Sequence, residues 1–152
     1  MLEKSRRPIA CGRVRVVCAV RKNLRKVRMQ CLNTPRGTLL ISTPEATAID
    51  LVGYPQHTGG LNQVATVLTE LAEQLDPDAL VKAAMSAPLP WAQRLGFLLE
   101  RVGAGDKAQK LKRHVHLRAH DSALLQPKSP RGRASRDRDW KLFVNTEVEV
   151  DQ

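Results

Sequence analysis

The sequence predicts an α+β domain, in which a small antiparallel sheet of N-terminal strands plus a C-terminal strand packs against four to five helices. Three observations predict it. β-Branched alternation fills residues 13–41, helical periodicity takes over from Thr43, and alternation returns over residues 140–150. With 152 residues and 42% apolar content, the chain is large enough for one domain whose core needs no metal or disulfide staple. Residues 1–8 read as a flexible lead-in and residues 9–150 as that single domain.

Residues 13–20 (Arg-Val-Arg-Val-Val-Cys-Ala-Val) partly alternate and predict a strand. Arg21, Lys22 and Asn23 form its turn, and residues 27–33 return as the antiparallel partner. Pro35, Arg36 and Gly37 signal a second turn before a third strand at 38–41. Ser42-Thr43-Pro44-Glu45 has capping-box spacing, with a hydroxyl for the orphan amides and a glutamate reaching back. Pro44 suits the first turn of a helix that runs to about Val52 and stops at Gly53.

Leu61, Val64, Ala65, Leu68, Leu71, Ala72 and Leu75 recur at three- and four-residue steps, one apolar stripe of a second helix. Asp76 and Pro77 cap and start a third through Met85. Trp91, Leu95, Leu98, Leu99 and Val102 line a fourth that ends at Gly103, and residues 106–120 make a more basic fifth. Residues 126–139 carry no apolar anchor except Ala134 and predict a mobile basic loop. Beyond it, Trp140, Leu142 and Val144 alternate with Lys141, Phe143 and Asn145. That pattern predicts a closing strand that rejoins the N-terminal sheet.

The net charge of +10 is unevenly distributed. Residues 1–42 hold eleven Lys+Arg against Glu3 alone, residues 43–105 are acidic, and residues 106–141 hold eleven basic and four acidic residues. Two basic blocks flanking an acidic middle point to a polyanionic partner, DNA or RNA, because each neutralised phosphate releases counterions. The nucleic-acid contacts expected are Arg21, Lys22, Arg25, Lys26 and Arg28 at a hairpin connection, with Arg131, Arg133, Arg136 and Arg138 in the late loop. The other reading of the same charge is a non-catalytic interaction domain for an acidic protein surface.

Other classes find less support. Five aromatic residues are too few for a base-stacking platform, and no apolar run reaches membrane-spanning length. Cys11, Cys18 and Cys31 show no Cys-x-x-Cys spacing, which predicts reduced thiols and a cytoplasmic protein, with Cys18 and Cys31 at core-like strand positions. His116 and His120 could share one helical face but lack a completing ligand, so no metal or cofactor is expected. Together with Asp121 they are the only group suggestive of catalysis, and no nucleophile elbow or phosphate-binding loop occurs. Asp50 is the most interior of the acids. The protein is expected not to be an enzyme.

Gly37-Thr38-Leu39-Leu40-Ile41-Ser42-Thr43-Pro44-Glu45 followed by Ala48-Ile49-Asp50-Leu51 resembles a strand-to-helix junction of the AbiEi-type antitoxin family of type IV toxin–antitoxin, abortive-infection systems. Gln93-Arg94-Leu95-Gly96-Phe97-Leu98-Leu99-Glu100 is similar to a later helix of that family, and Trp140-Lys141-Leu142-Phe143-Val144-Asn145 to its closing strand. The order holds over residues 9–149, which resemble the family's C-terminal domain without its usual N-terminal winged helix. Ala46 stands where members often carry a basic residue. The resemblance implies an antitoxin and transcriptional-regulator role opposing a nucleotidyltransferase-like toxin, with no active site or cofactor. It also implies that Gly96 permits a close helix approach.

Overall fold

The computed structural model describes residue 4, residues 6–21 and residues 23–149. Lys22 and the end of the expected closing strand at Val150 lie outside the described residues, as does much of the lead-in. The chain is α+β, with five α-helices and three small sheets among the described residues. The helices are α1 (Pro44–Gly53), α2 (Leu61–Leu71), α3 (Pro77–Ala84), α4 (Leu89–Arg101) and α5 (Gly105–Arg118).

Helix α4 is the centre of the body. Every residue of 92–99 is buried, because α1, α2 and α3 pack around it and α5 lies along it. The apolar cluster runs from Ala48 to Leu142, joining Ile49 and Val52 of α1, Leu68 of α2, Leu80 of α3, Leu95, Leu98 and Leu99 of α4, and Leu111 of α5. Burial of such side chains contributes about 1.5–3 kcal/mol each before entropy is counted.

Local chemistry sets where the helices start. Thr43 caps α1, its Oγ1 accepting the Ala46 N–H at 3.3 Å. The glutamate of the expected capping box does not reach back. Glu45 accepts the Asp76 N–H at 3.1 Å, and Asp76 in turn caps α3 by accepting the Ala79 N–H at 2.8 Å. A residue in the first turn of α1 thus fixes the start of α3, and Ala46 is buried beside it.

The strands differ from the expected single sheet. β1 (Ile9–Cys11) and β2 (Val14–Val16) pair with each other as a short hairpin, where the sequence suggested one strand over 13–20. Gly12, with φ of 59°, supplies the left-handed residue its turn needs. β3 (Met29–Thr34) and β4 (Gly37–Ser42) form the second hairpin near the expected positions. β3 does not pair with residues 13–20 across a turn at 21–23 as expected, because β2 is already paired with β1. The closing strand β7 (Leu142–Val144) does not rejoin either hairpin. It lies between β5 (Ala123–Leu124), parallel to it, and β6 (Ser135–Asp137), antiparallel to it. Leu142 and Trp140 are buried against the helices, so the strand is held on α4 rather than beside the N-terminal hairpins.

The glycine in α4 has a specific purpose. A Cβ on Gly96 would fall 1.9 Å from the Trp140 ring, so the close approach it permits is that of an indole, not of a helix. Trp140 is fully buried there, and its Nε1–H finds no acceptor among the described residues. Gln93 donates to the carbonyls of Asp121 (3.2 Å) and Lys141 (2.9 Å), tying the entries of the parallel strands β5 and β7 to α4. Arg94 is buried beside them and donates from Nε to the Leu124 carbonyl at 2.9 Å. Burial draws its guanidinium below the ordinary value, though an arginine stays charged.

Residues 6–17 are exposed throughout, and both faces of the β3–β4 hairpin are largely so. Cys31 and Cys11 are therefore exposed and Cys18 half-buried, not core thiols, because most of both hairpins stays open to solvent. The segment is tied to the body chiefly at Arg21, whose Nε donates to both Asp50 carboxylate oxygens at 2.7 and 2.9 Å. A backbone bond from Thr43 N–H to the Arg28 carbonyl at 3.1 Å adds a second tie.

Candidate nucleic-acid interface

Of the N-terminal cations, Arg25 and Lys26 stand on a single 3-10 turn, Leu24–Lys26, and Arg28 follows just before β3. All three are exposed. The turn is entered through Asn23 at φ of 59°, a left-handed conformation that asparagine tolerates better than most residues. Val27 N–H closes it on the Leu24 carbonyl at 3.0 Å. Leu24 and Val27 are half-buried, and with the more exposed Met29 and Leu40 they line a cleft of about 410 Å³ against Thr47, Leu51 and Tyr54. The apolar side chains of the turn thus line the cleft and its long cations stay exposed.

Arg21 departs from this set. Its side chain is only 4% exposed and is committed to Asp50, so it positions the turn instead of reaching outward. Asp50, read from sequence as an interior acid, is the buried partner, and burial pushes its carboxyl up despite the guanidinium beside it.

The late set occupies another place. Arg131 and Arg133 line a cavity of about 790 Å³ with Phe97 and Arg101 of α4 and the stretch Val144 to Glu149. Arg131 lies over the Phe143 ring, 3.6 Å from its centroid. Arg136 is on β6 and donates from Nε to Ser122 Oγ at 3.2 Å; Arg138 is exposed just beyond it. The segment read as a loop over 126–139 therefore contains a strand and is held at its base. Asn145 Nδ2 donates to the carbonyls of Gln126 (2.9 Å) and Ser129 (3.1 Å), while its Oδ1 accepts the Gln126 N–H at 2.9 Å. Arg131 and Arg133 of the late set line the cavity at the C-terminal end of α4, whereas the cleft against α1 beside the basic turn is lined by the turn's apolar residues and not by its cations. Arg101 and Phe97 belong with the late set. Their four-residue spacing on one helical face was the available signal, masked by the apolar stripe around it.

Of the flagged group, His116 is engaged structurally, while His120 and Asp121 are exposed. His116 Nε2 is 2.7 Å from the Asp139 carbonyl, and Lys112 bridges Glu100 (3.1 Å) and Asp139 (2.7 Å) beside it. The bond from Lys112 holds the Asp139 carboxyl below the usual carboxylate range. Lys141, at φ of 49°, caps the end of α5 by donating to the Ala119 carbonyl. His114 is drawn down by burial and by Arg118.

Comparison with known proteins adds an independent finding. A family model described as the AbiEi antitoxin C-terminal domain matches residues 1–101, from the hairpins through α4. No curated protein matches the chain. Among solved structures, the crystal structure of the RV2827C protein from Mycobacterium tuberculosis is similar in fold, at 19% identity and a TM-score of 0.55. That likeness covers 67% of this chain and 34% of the other, so the chain spans about a third of that structure's length.

Proposed function

The chain belongs to the AbiEi antitoxin C-terminal domain family, and from that membership we propose that it acts in a type IV toxin–antitoxin, abortive-infection system. In this reading it is a cytoplasmic, non-catalytic antitoxin that opposes a nucleotidyltransferase-like toxin and takes part in transcriptional regulation through DNA contacts. No described helix is long and apolar enough to cross a membrane. Arg25, Lys26 and Arg28 make the first phosphate contacts, joined in sequence by Lys22. Arg131, Arg133, Arg136 and Arg138 make the second.

The observation that supports nucleic-acid contact is the exposed basic turn. It lies in a segment with eleven Lys+Arg and one acid over residues 1–42, with Leu24 and Val27 half-buried and Arg25, Lys26 and Arg28 exposed. Two experiments test the reading. Co-expression with the toxin should restore growth. Titration of duplex DNA should show affinity falling steeply with salt, with a log–log slope near −5 for about six neutralised phosphates. The triple variant R25Q/K26Q/R28Q should reduce the steepness by about 2.7. A slope close to zero in the wild-type chain excludes DNA contact.

A second reading, an interaction domain for an acidic protein surface, is favoured by one specific observation. Ile9, Val14 and Val16 share one face of the first hairpin and are all exposed, as are Leu39 and Leu40 of the second. Apolar strand faces of this kind mark protein contacts.

A further inference from the structure

The cavity at the C-terminal end of α4 has a chemistry that duplex contact does not use. Its volume of about 790 Å³ falls within the range of small-molecule sites, about 300–1,000 Å³. Three arginines line it, Arg101, Arg131 and Arg133. Two of them lie over aromatic rings, Arg101 at 5.1 Å from the Phe97 centroid and Arg131 at 3.6 Å from that of Phe143. Ring contact restrains a planar guanidinium in one orientation and leaves its N–H edge available. Among the described residues, none of the three has a carboxylate within ion-pair distance, although Glu147 and Glu149 stand on the same wall.

The backbone supports the arrangement. Gly132, at φ of 50°, separates Arg131 from Arg133, and the Ala134 N–H closes the turn on the Arg131 carbonyl at 3.1 Å. Both flanking arginines line the cavity. Guanidinium forks match phosphate oxygens in pairs, and three of them suit a group with several adjacent phosphates better than a single one.

We propose that this cavity is an oligophosphate-binding site in which Arg101, Arg131 and Arg133 contact the phosphates. The inference rests on the reading of Arg131 and Arg133 as phosphate contacts and narrows it from duplex backbone to a terminal oligophosphate group. Glu147 and Glu149 offset part of the positive charge and weaken the site. The ligand chemistry is shared by free nucleoside triphosphates and by the 5′-triphosphate end of a nucleic acid.

Calorimetric titration of the full chain with inorganic tripolyphosphate tests it. Saturable 1:1 binding is expected, weakened at least about tenfold by R101Q/R133Q and tightened about threefold by E147Q/E149Q. Circular dichroism establishes that both variants fold, and the second variant tests the site even where the first is unstable. Absence of saturable binding, or binding unmoved by either pair, overturns the proposal. ATP and RNA oligonucleotides with 5′-triphosphate or 5′-hydroxyl ends separate the sources. Equal affinity for ATP and the triphosphorylated strand supports a free nucleotide, and tighter binding of that strand than of ATP and the hydroxyl strand supports a nucleic-acid end. Duplex DNA without terminal phosphates isolates the basic turn. If R25Q/K26Q/R28Q abolishes duplex binding and tripolyphosphate still binds, the cavity stands on its own; if duplex binds and tripolyphosphate does not, only the oligophosphate proposal fails.

Discussion

Arg21 and Asp50 show how much one residue pair controls. The pair is buried, so the substitution D50N removes the Asp50 carboxylate from a guanidinium held inside the protein. Breaking such a pair costs about 3–5 kcal/mol, which urea unfolding of D50N should show as a lower midpoint. Gly96 is constrained as tightly by geometry. Since its Cβ would overlap the Trp140 ring, G96A should destabilise by about 1–3 kcal/mol or more, read as a fall in melting temperature. The pH dependence of Asp139 follows from its bond to Lys112. A carboxylate held below its ordinary value of 3.8 stabilises the fold above that pH, and the stabilisation is lost as pH falls through the lower folded value. NMR titration should find the Asp139 carboxyl below 3.8, and K112M should move it upward.

At the scale of elements, the helices and the hairpins obey different constraints. Helix boundaries were legible because each rests on local chemistry. Thr43 caps α1, Asp76 and Pro77 begin α3, and Gly103 follows the end of α4. The strand pairing was not legible, because it depends on partners far along the chain. β7 could be read as a strand from Trp140, Leu142 and Val144, but nothing local says that it pairs with residues 123–124 and 135–137. Cys31 looked like a core thiol because alternation identifies two faces without telling whether either is covered. The basic turn was legible as a cluster, whereas Arg21 within it was not separable until its distance to Asp50 was known. Isolated hairpins with exposed faces are marginal. Amides of β3 and β4 should therefore exchange at least about a hundredfold faster than those of Leu95, Leu98 and Leu99 in α4, as measured by hydrogen exchange.

The whole molecule divides its tasks along the chain. Among the described residues none before Ala48 belongs to the apolar cluster, while eleven of the 25 Lys+Arg precede it against two acids. A chain beginning at Thr43 should therefore keep its helical circular dichroism and unfold cooperatively, with D50N added to remove the carboxylate left without Arg21. Binding to duplex DNA should fall sharply in the same truncated protein. Trp140 offers a way to follow such changes. Its indole is fully buried, with Lys112 Nζ 5.6 Å from the ring centroid and no acceptor for Nε1–H among the described residues, whereas Trp91 is only half-buried. Its fluorescence should be shifted to the blue of that of Trp91. A move of that emission toward longer wavelength will signal that the small sheet has lifted from α4.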